Sequence, residues 1–321
     1  MASKKIITVF GATGKQGGSI VEKFISDPKL KDEWAVRGVT RDVSKDSAKA
    51  LASRGVEVVS ADMDDKESVF KAVAGSHTVF SVTNYWEKLS KDGETQQGKN
   101  IADAAKEAGV QHFIWSTLIN VTNVSKGKLT KVYHFDSKAE VDAYVRSLGI
   151  PTTFFLAGFY LSNFEAPMWF RQTGPDNAWT FSMPGPITSP VPLYDVRDTG
   201  KYVKAIVLNR DALLGGRVLA ATEYQTFEEM LVDFRRTFPK DGANARFYEL
   251  SDEQYLEGVR SAGMPDFVGE ELLQNIQLLS QFGYYGGESL DETRKLVEGV
   301  GERLTTWAEW LPQSEVFKNL Q

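Results

Sequence analysis

Eight residues near the N-terminus, Gly11-Ala12-Thr13-Gly14-Lys15-Gln16-Gly17-Gly18, follow a β-type apolar run at 6–10 and lead into helical spacing at 19–26. That context is what separates a dinucleotide-binding turn from an accidental cluster of glycines. Gly11 permits a tight turn, Gly14 lets the backbone approach a diphosphate, and Gly17 lets the helix pack closely on the strand. The start of the helix then offers unpaired amides and the positive end of its dipole to an anion. The bland alternative is a Gly-rich connection that binds nothing.

The rest of the first half repeats this alternation. Further β-type runs lie at 34–40, 56–60, 77–82, 112–116 and 152–156, with helical spacing between them at 47–54, 66–74, 97–108 and 140–148. Apolar strands alternating with helices predict an α/β fold, a doubly wound parallel sheet of the Rossmann type. After Gly158 the pattern breaks. Residues 165–192, with Pro167, Trp169, Phe170, Pro175, Trp179, Pro184, Pro186 and Pro190, read as an irregular excursion. A helix at 198–208 and a strand at 217–221 rejoin the sheet, and amphipathic segments at 227–238, 252–261, 269–282 and 291–310 are helical. The expected organisation is a nucleotide-binding domain of residues 1–160 plus about 193–223. A smaller, mostly helical substrate or partner domain of about 161–192 and 224–321 closes over the carboxyl edge of the sheet.

Composition narrows the chemistry. The 321-residue chain has no cysteine, which removes disulfides, thiolate catalysis and Cys-ligated zinc, and its three histidines are too scattered for a metal site. A net charge of −6 argues against direct nucleic-acid or anionic-membrane binding. The N-terminus has no apolar signal-peptide core and no run reaches membrane-spanning length, so a cytoplasmic protein is expected, with the nucleus open to a regulator. Two adjacent sequons in one loop, at Asn120 and Asn123, then read as chance.

The end of the second strand selects the cofactor. Where an NAD-binding sheet usually carries an acid, this chain has Val39-Thr40-Arg41-Asp42, and Arg41 can fork onto a 2′-phosphate, with Lys45 as a second cation. That favours NADP(H), although Asp42 takes the acid's role if the strand ends one residue later. Asp62, in Ala61-Asp62-Met63-Asp64, suits either an adenine contact or a helix N-cap. Thr83 and Asn84 follow the fourth strand beside the expected nicotinamide path.

Together these pieces resemble the NmrA-like family, an atypical branch of the short-chain dehydrogenase/reductase superfamily, whose turn has the same GxxGxxG spacing. The resemblance rests on residues 9–19, Val39-Thr40-Arg41, Thr83-Asn84-Tyr85-Trp86-Glu87, His134-Phe135-Asp136-Ser137-Lys138 and 158–164, and more loosely on Phe282-Gly283-Tyr284-Tyr285-Gly286. It implies that NADP(H) is lined by Gly11, Thr13, Gly14, Lys15, Gln16, Gly17, Arg41, Lys45, Asp62, Met63, Thr83, Asn84, Lys138, Tyr160, Leu161, Ser162 and Asn163. It also implies a divided function: some members sense dinucleotides and bind transcription factors or signalling proteins, and others reduce small organic molecules.

Catalysis hinges on one position. Short-chain dehydrogenases pair a Ser with a Tyr-x-x-x-Lys helix in which the Tyr donates the proton. Ser116 ends the fifth strand and Lys138 is present, but four residues before Lys138 stands His134. Tyr133 is next door, and one residue turns a helical side chain by about 100°. Either Lys138 holds the ribose and His134 serves as acid, or Lys138 only binds cofactor and His134 is structural. Ser137 with Glu140 also forms a capping box, which would put Lys138 in a first helical turn. Tyr85, Trp86, Phe159, Phe164 and Tyr284 are the expected wall of a pocket for a flat apolar substrate. An NADPH-dependent oxidoreductase of a small apolar or aromatic substrate, with secondary metabolism as a candidate setting, is the favoured expectation, and a non-catalytic NADP(H)-sensing regulator that binds a transcription factor or signalling protein is the alternative.

Overall fold

The apolar runs of the first half form one sheet because each is flanked by a helix that can cover it. A computed structural model describes residues 3–321. The chain runs β1 (Lys5–Phe10), α1 (Lys15–Ser26), α2 (Pro28–Glu33), β2 (Trp34–Thr40), α3 (Asp46–Ala52), β3 (Glu57–Ser60) and α4 (Lys66–Val73). It continues through β4 (Thr78–Ser81), α5 (Tyr85–Lys88), α6 (Lys91–Glu107), β5 (His112–Thr117), α7 (Val121–Val124), α8 (Tyr133–Leu148) and β6 (Thr152–Ala157). The second half holds β7 (Phe159–Tyr160), β8 (Phe170–Thr173), β9 (Ala178–Pro184), β10 (Pro190–Tyr194), α9 (Thr199–Leu208), α10 (Arg210–Leu213) and β11 (Arg217–Ala220). The last elements are β12 (Glu223–Thr226), α11 (Phe227–Thr237), β13 (Arg246–Leu250), α12 (Asp252–Ser261), α13 (Asp266–Gln281), α14 (Asp291–Glu298) and α15 (Trp307–Trp310).

Seven parallel strands lie in the order β11-β6-β5-β4-β1-β2-β3, so the strand order reverses between β1 and β4. Alternate side chains of each strand enter opposite cores. Ile7, Val9, Phe80, Ile114 and Phe155 pack with Ile20 and Phe24 of α1 and with Tyr202 and Ile206 of α9. Val79, Phe113, Trp115 and Phe154 pack on the other face with Ile101 of α6 and Val141 and Val145 of α8. Fully buried side chains of this kind contribute roughly 1.5–3 kcal/mol each relative to exposure. With both faces covered, the carboxyl ends of the strands are the open edge, and the reversal point between β1 and β4 is where such sheets bind ligands.

Three expectations are corrected. Residues 165–192 are not irregular: β8 and β9 form an antiparallel hairpin, β9 pairs in parallel with β13, and β10 joins a separate sheet with β7 and β12. The prolines misled because Pro184 and Pro190 sit at strand ends, where a missing N–H is tolerated, while the Trp179–Met183 core is strand-forming. Helix α8 begins at Tyr133, so Ser137 is no N-cap and Lys138 does not lie in a first turn. The expected helix over 291–310 stops at Glu298 and restarts as α15, with a left-handed Gly301 between. No helix among the described residues is long and apolar enough to cross a membrane.

Candidate functional site

A cleft of about 740 Å³ follows the carboxyl edge of the sheet, from the β1–α1 turn and the ends of β2 and β3 to α8 and α13. Gly11 holds φ +65°, a conformation side chains rarely adopt. A Cβ on Gly17 would lie 2.2 Å from the Gly11 carbonyl oxygen, so α1 packs directly on the turn. The N-cap of α1, Gly14, offers no side-chain cap, leaving the first amides of the helix for an anion in the cleft. Thr13, Gly14, Lys15, Gln16, Arg41, Asp62 and Met63 line this end.

Arg41 is an exposed cation that forms an ion pair with Glu87 of α5, at the lip of the cleft. Lys45 is the N-cap residue of α3 and is not among the cleft-lining side chains. Asp42 accepts hydrogen bonds from the Ser44 amide and hydroxyl, which occupy it locally. Asp65, not Asp62, caps α4, which frees Asp62 from that structural role. Of the tract from Tyr160, the last residue of β7, to Asn163, Tyr160 and Asn163 reach the cleft, Leu161 is fully buried, and the Ser162 hydroxyl accepts from Lys15 Nζ at 2.9 Å.

The middle of the cleft is organised by a residue the sequence did not single out. Glu94 of α6, 3% exposed, accepts from Lys138 Nζ at 2.5 Å and Thr83 Oγ1 at 2.7 Å, and also from the Ser137 hydroxyl. Lys138 Nζ donates in addition to the His134 carbonyl at 3.3 Å. The Lys138 carbonyl is bound by Trp115 Nε1 and Thr117 Oγ1, each at 3.1 Å, which ties α8 to β5. Two cleft groups, Lys138 and Thr83, therefore share one buried carboxylate. Ser116 lies beside them, donating to Gln16 Oε1 at 2.9 Å, while Gln16 Nε2 donates to the Tyr160 hydroxyl at 2.6 Å. The serine is thus tied to the phosphate turn.

His134 stands at the far end against Tyr85 and Trp86, with ring centroids 6.0 and 4.9 Å away. Its backbone amide donates to Glu271 Oε1 of α13 at 2.9 Å, and its Nδ1 is 2.6 Å from the same oxygen. Glu271 is fully buried and caps α8 from another helix, which Val132 does not do. With Nδ1 taken, Nε2 is the ring nitrogen left for the cleft. Burial and the Glu271 carboxylate both push the Tyr85 phenol well up, so it stays a neutral donor. Phe159, Trp169, Tyr284, Leu272 and Asn275 complete this wall. Phe164 does not join it: fully buried, it packs on Phe159, Phe181 and Trp307.

Glu94, Glu271, Leu272 and Asn275 went unread in the sequence. Glu94 falls on the buried stripe of α6 with Gly98, Ile101 and Ala105, but only the tertiary approach of α6 to α8 brings it to Lys138. Glu271 and Asn275 likewise fall four apart on the buried stripe of α13 that includes Val268 and Leu278. Polar residues on an apolar helix face invite a question about their partners. No group of three or more His, Cys, Asp or Glu side chains among the described residues is placed to hold a metal ion.

The same architecture recurs in known proteins. The NmrA-like oxidoreductase lnaB of Aspergillus flavus is 29% identical over 94% of this chain and 92% of its own length. The NmrA-like oxidoreductase malD of Malbranchea aurantiaca is 32% identical over 77% of this chain and 76% of its own. The crystal structure of NmrA, a negative transcriptional regulator, in complex with NADP superposes with a TM-score of 0.79 at 23% identity, covering 99% of this chain and 96% of that one. The model of the NmrA-like family matches residues 3–311, and the chain belongs to that family.

Proposed function

We propose that this chain is an NADP(H)-dependent oxidoreductase acting on a small, apolar or aromatic organic molecule. The observation that carries the reading is the continuity of one cleft, from the glycine turn and Arg41 at one end to Lys138, His134 and the aromatic wall at the other. The residues suit the dinucleotide: a glycine cradle that a Cβ would fill, uncapped helix amides for the diphosphate, and a guanidinium where NAD-binding sheets carry an acid. Arg41 would take the 2′-phosphate in exchange for Glu87, and Asp62 and Met63 line the end of the cleft that would receive the adenine. The nucleotide-binding role falls to 1–160 plus about 193–223, and the substrate role to the remainder.

When bound, NADPH supplies the hydride. Lys138, fixed by Glu94, would hold the nicotinamide ribose, and Thr83 and Asn84 line the cleft where the nicotinamide would lie. His134 gives the proton from Nε2 to the reduced substrate, its ring oriented by Glu271. Ser116, engaged with Gln16, orders the turn rather than the substrate. The named relatives lnaB and malD, both called oxidoreductases, support the enzymatic reading.

A second reading is favoured by one specific observation, the histidine where a Tyr-x-x-x-Lys helix has tyrosine. In it the chain senses NADP(H) and binds a protein partner, as the description of NmrA as a transcriptional regulator suggests. Turnover separates the two. Stereospecific NADPH oxidation by aromatic ketones, quinones or imines, lost in Lys138→Ala and sharply reduced in His134→Phe, is the expected result. A protein that binds NADPH tightly yet oxidises it with no member of such a panel is a sensor.

A further inference from the structure

At the aromatic end of the cleft stands an amide that the proposed chemistry does not use. Asn275 is only 7% exposed and lines the cleft, and its Nδ2, like Oε2 of Glu271 one helical turn before it, is buried without a partner among the described residues. Almost every buried amide in a folded protein is hydrogen-bonded, so an orphan at the wall of a binding cleft points to a ligand. The placement is specific. Asn275 lies one helical turn beyond Glu271, and residues four apart on a helix are neighbours on one face. Glu271 holds Nδ1 of His134, and His134 and Asn275 both line the cleft. Around them the surface is apolar and aromatic, with Tyr85, Trp86, Trp169, Leu272 and Tyr284.

We propose that Asn275 is the specificity group of the substrate subsite: its amide hydrogen-bonds the oxygen of a flat aromatic molecule, a hydroxyl or a carbonyl, and seats that oxygen beside His134. The inference rests on the oxidoreductase reading and names the substrate class within it. A half-turn of the amide exchanges Nδ2 with Oδ1, so a carbonyl or a hydroxyl can be matched. The same apolar ring without oxygen leaves the amide orphaned and binds more weakly.

The test needs binding, not turnover. The NADP+-loaded protein is titrated calorimetrically with naphthalene, 2-naphthol and 1,4-naphthoquinone; with no cysteine in the chain, the quinone has no thiol to alkylate. At least one oxygenated probe is expected to bind about ten-fold or more tighter than naphthalene, since satisfying a buried polar group is worth that much. In Asn275→Leu the preference falls to about two-fold or less while naphthalene affinity is kept, because only the polar contact is removed. The better of the two oxygenated probes tells hydroxyl from carbonyl. Because Leu replaces an unpartnered amide, the unliganded variant melts no lower than the parent. Should it misfold, Asn275→Ala makes the same prediction for the preference. Equal affinity for all three probes in the parent, or a preference that survives in the folded variants, overturns the proposal. Turnover without any preference overturns this inference alone, whereas a preference that Asn275→Leu abolishes, in a protein that never oxidises NADPH, overturns the enzymatic reading alone.

Discussion

Replacing Gly17 with alanine should disable the dinucleotide site without unfolding the protein. The added Cβ would fall 2.2 Å from the Gly11 carbonyl oxygen and 2.6 Å from its carbon, where ordinary contact begins near 3.4 Å. Both atoms are backbone, so no side chain can swing away, and either the turn or the start of α1 must move by more than about 1 Å. Overpacking of this kind typically costs about 1–3 kcal/mol of stability. Binding suffers more. A shift of that size misaligns the amides that face the diphosphate, and hydrogen bonds to charged groups are worth about 1.5–3 kcal/mol each. Losing two of them lowers NADP+ affinity by roughly 10²–10⁴-fold. Gly18 is the control: a Cβ there sits 3.6 Å from Ala12 O, an ordinary contact, on a helix. Gly18→Ala should bind normally and gain roughly 0.5–1 kcal/mol in helix stability. Titration calorimetry with NADP+ and thermal melts read both variants. A folded Gly17→Ala that binds NADP+ within three-fold of the parent would refute the role given to the turn.

Other perturbations probe the scaffold beneath the site. Glu94→Ala strands the Lys138 ammonium in a buried setting, and denaturant melts should show a loss of about 3–5 kcal/mol. Much of it should return in Glu94→Ala/Lys138→Met, so additive losses in the double variant would contradict the pairing. His112, fully buried with Nε2 2.8 Å from Thr153 Oγ1, is pushed down to about 3 by burial and, secondarily, by Arg210. Below pH 6.5 the unfolded chain takes up a proton that the folded one refuses, so stability falls as pH drops from 6.5 towards 3, by up to about 1.4 kcal/mol per unit. His112→Asn should flatten that slope, and a slope equal to the parent's would argue against a neutral His112. Burial opposes ionisation of Asp27, but Lys204 and the Leu30 and Lys29 amides outweigh it and hold its carboxyl below the usual range. Its contribution is therefore present at neutral pH and lost as pH falls through that lowered value. Lys204→Met should weaken folding most at neutral pH, with the deficit shrinking in acid.

How far the sequence carried depends on whether a signal was local. Strands buried on both faces announce themselves as unbroken apolar runs, and the turn between β1 and α1 carries its reason in its glycines. Arg41 was legible because a strand end is a fixed place in such sheets. Lys45 was not placed well, since one more turn of chain takes it away from the cleft onto the cap of α3. The start of α8 was misread because its cap, Glu271, comes from a helix more than a hundred residues away. Ser137 and Glu140 supplied a false local cap in its place. The strands between 170 and 194 were hidden by prolines, Pro184 and Pro190 at strand ends and Pro192 within β10. Glu94 lies on the buried stripe of α6, yet pattern alone could not name its partners, because Lys138 and Thr83 meet it only through the tertiary fold.

The central claim is that the cleft selects the phosphorylated dinucleotide through Arg41. Its most direct test is the affinity of the parent and of Arg41→Ala for NADP+ and NAD+, measured side by side by calorimetry. The parent should prefer NADP+ by at least about ten-fold, the worth of one charge-assisted contact to the 2′-phosphate. The variant should lose that preference and keep its NAD+ affinity within about three-fold, a change too small to reflect a lost hydrogen bond. Equal affinities in the parent, or a preference for NADP+ that survives the substitution, would contradict it.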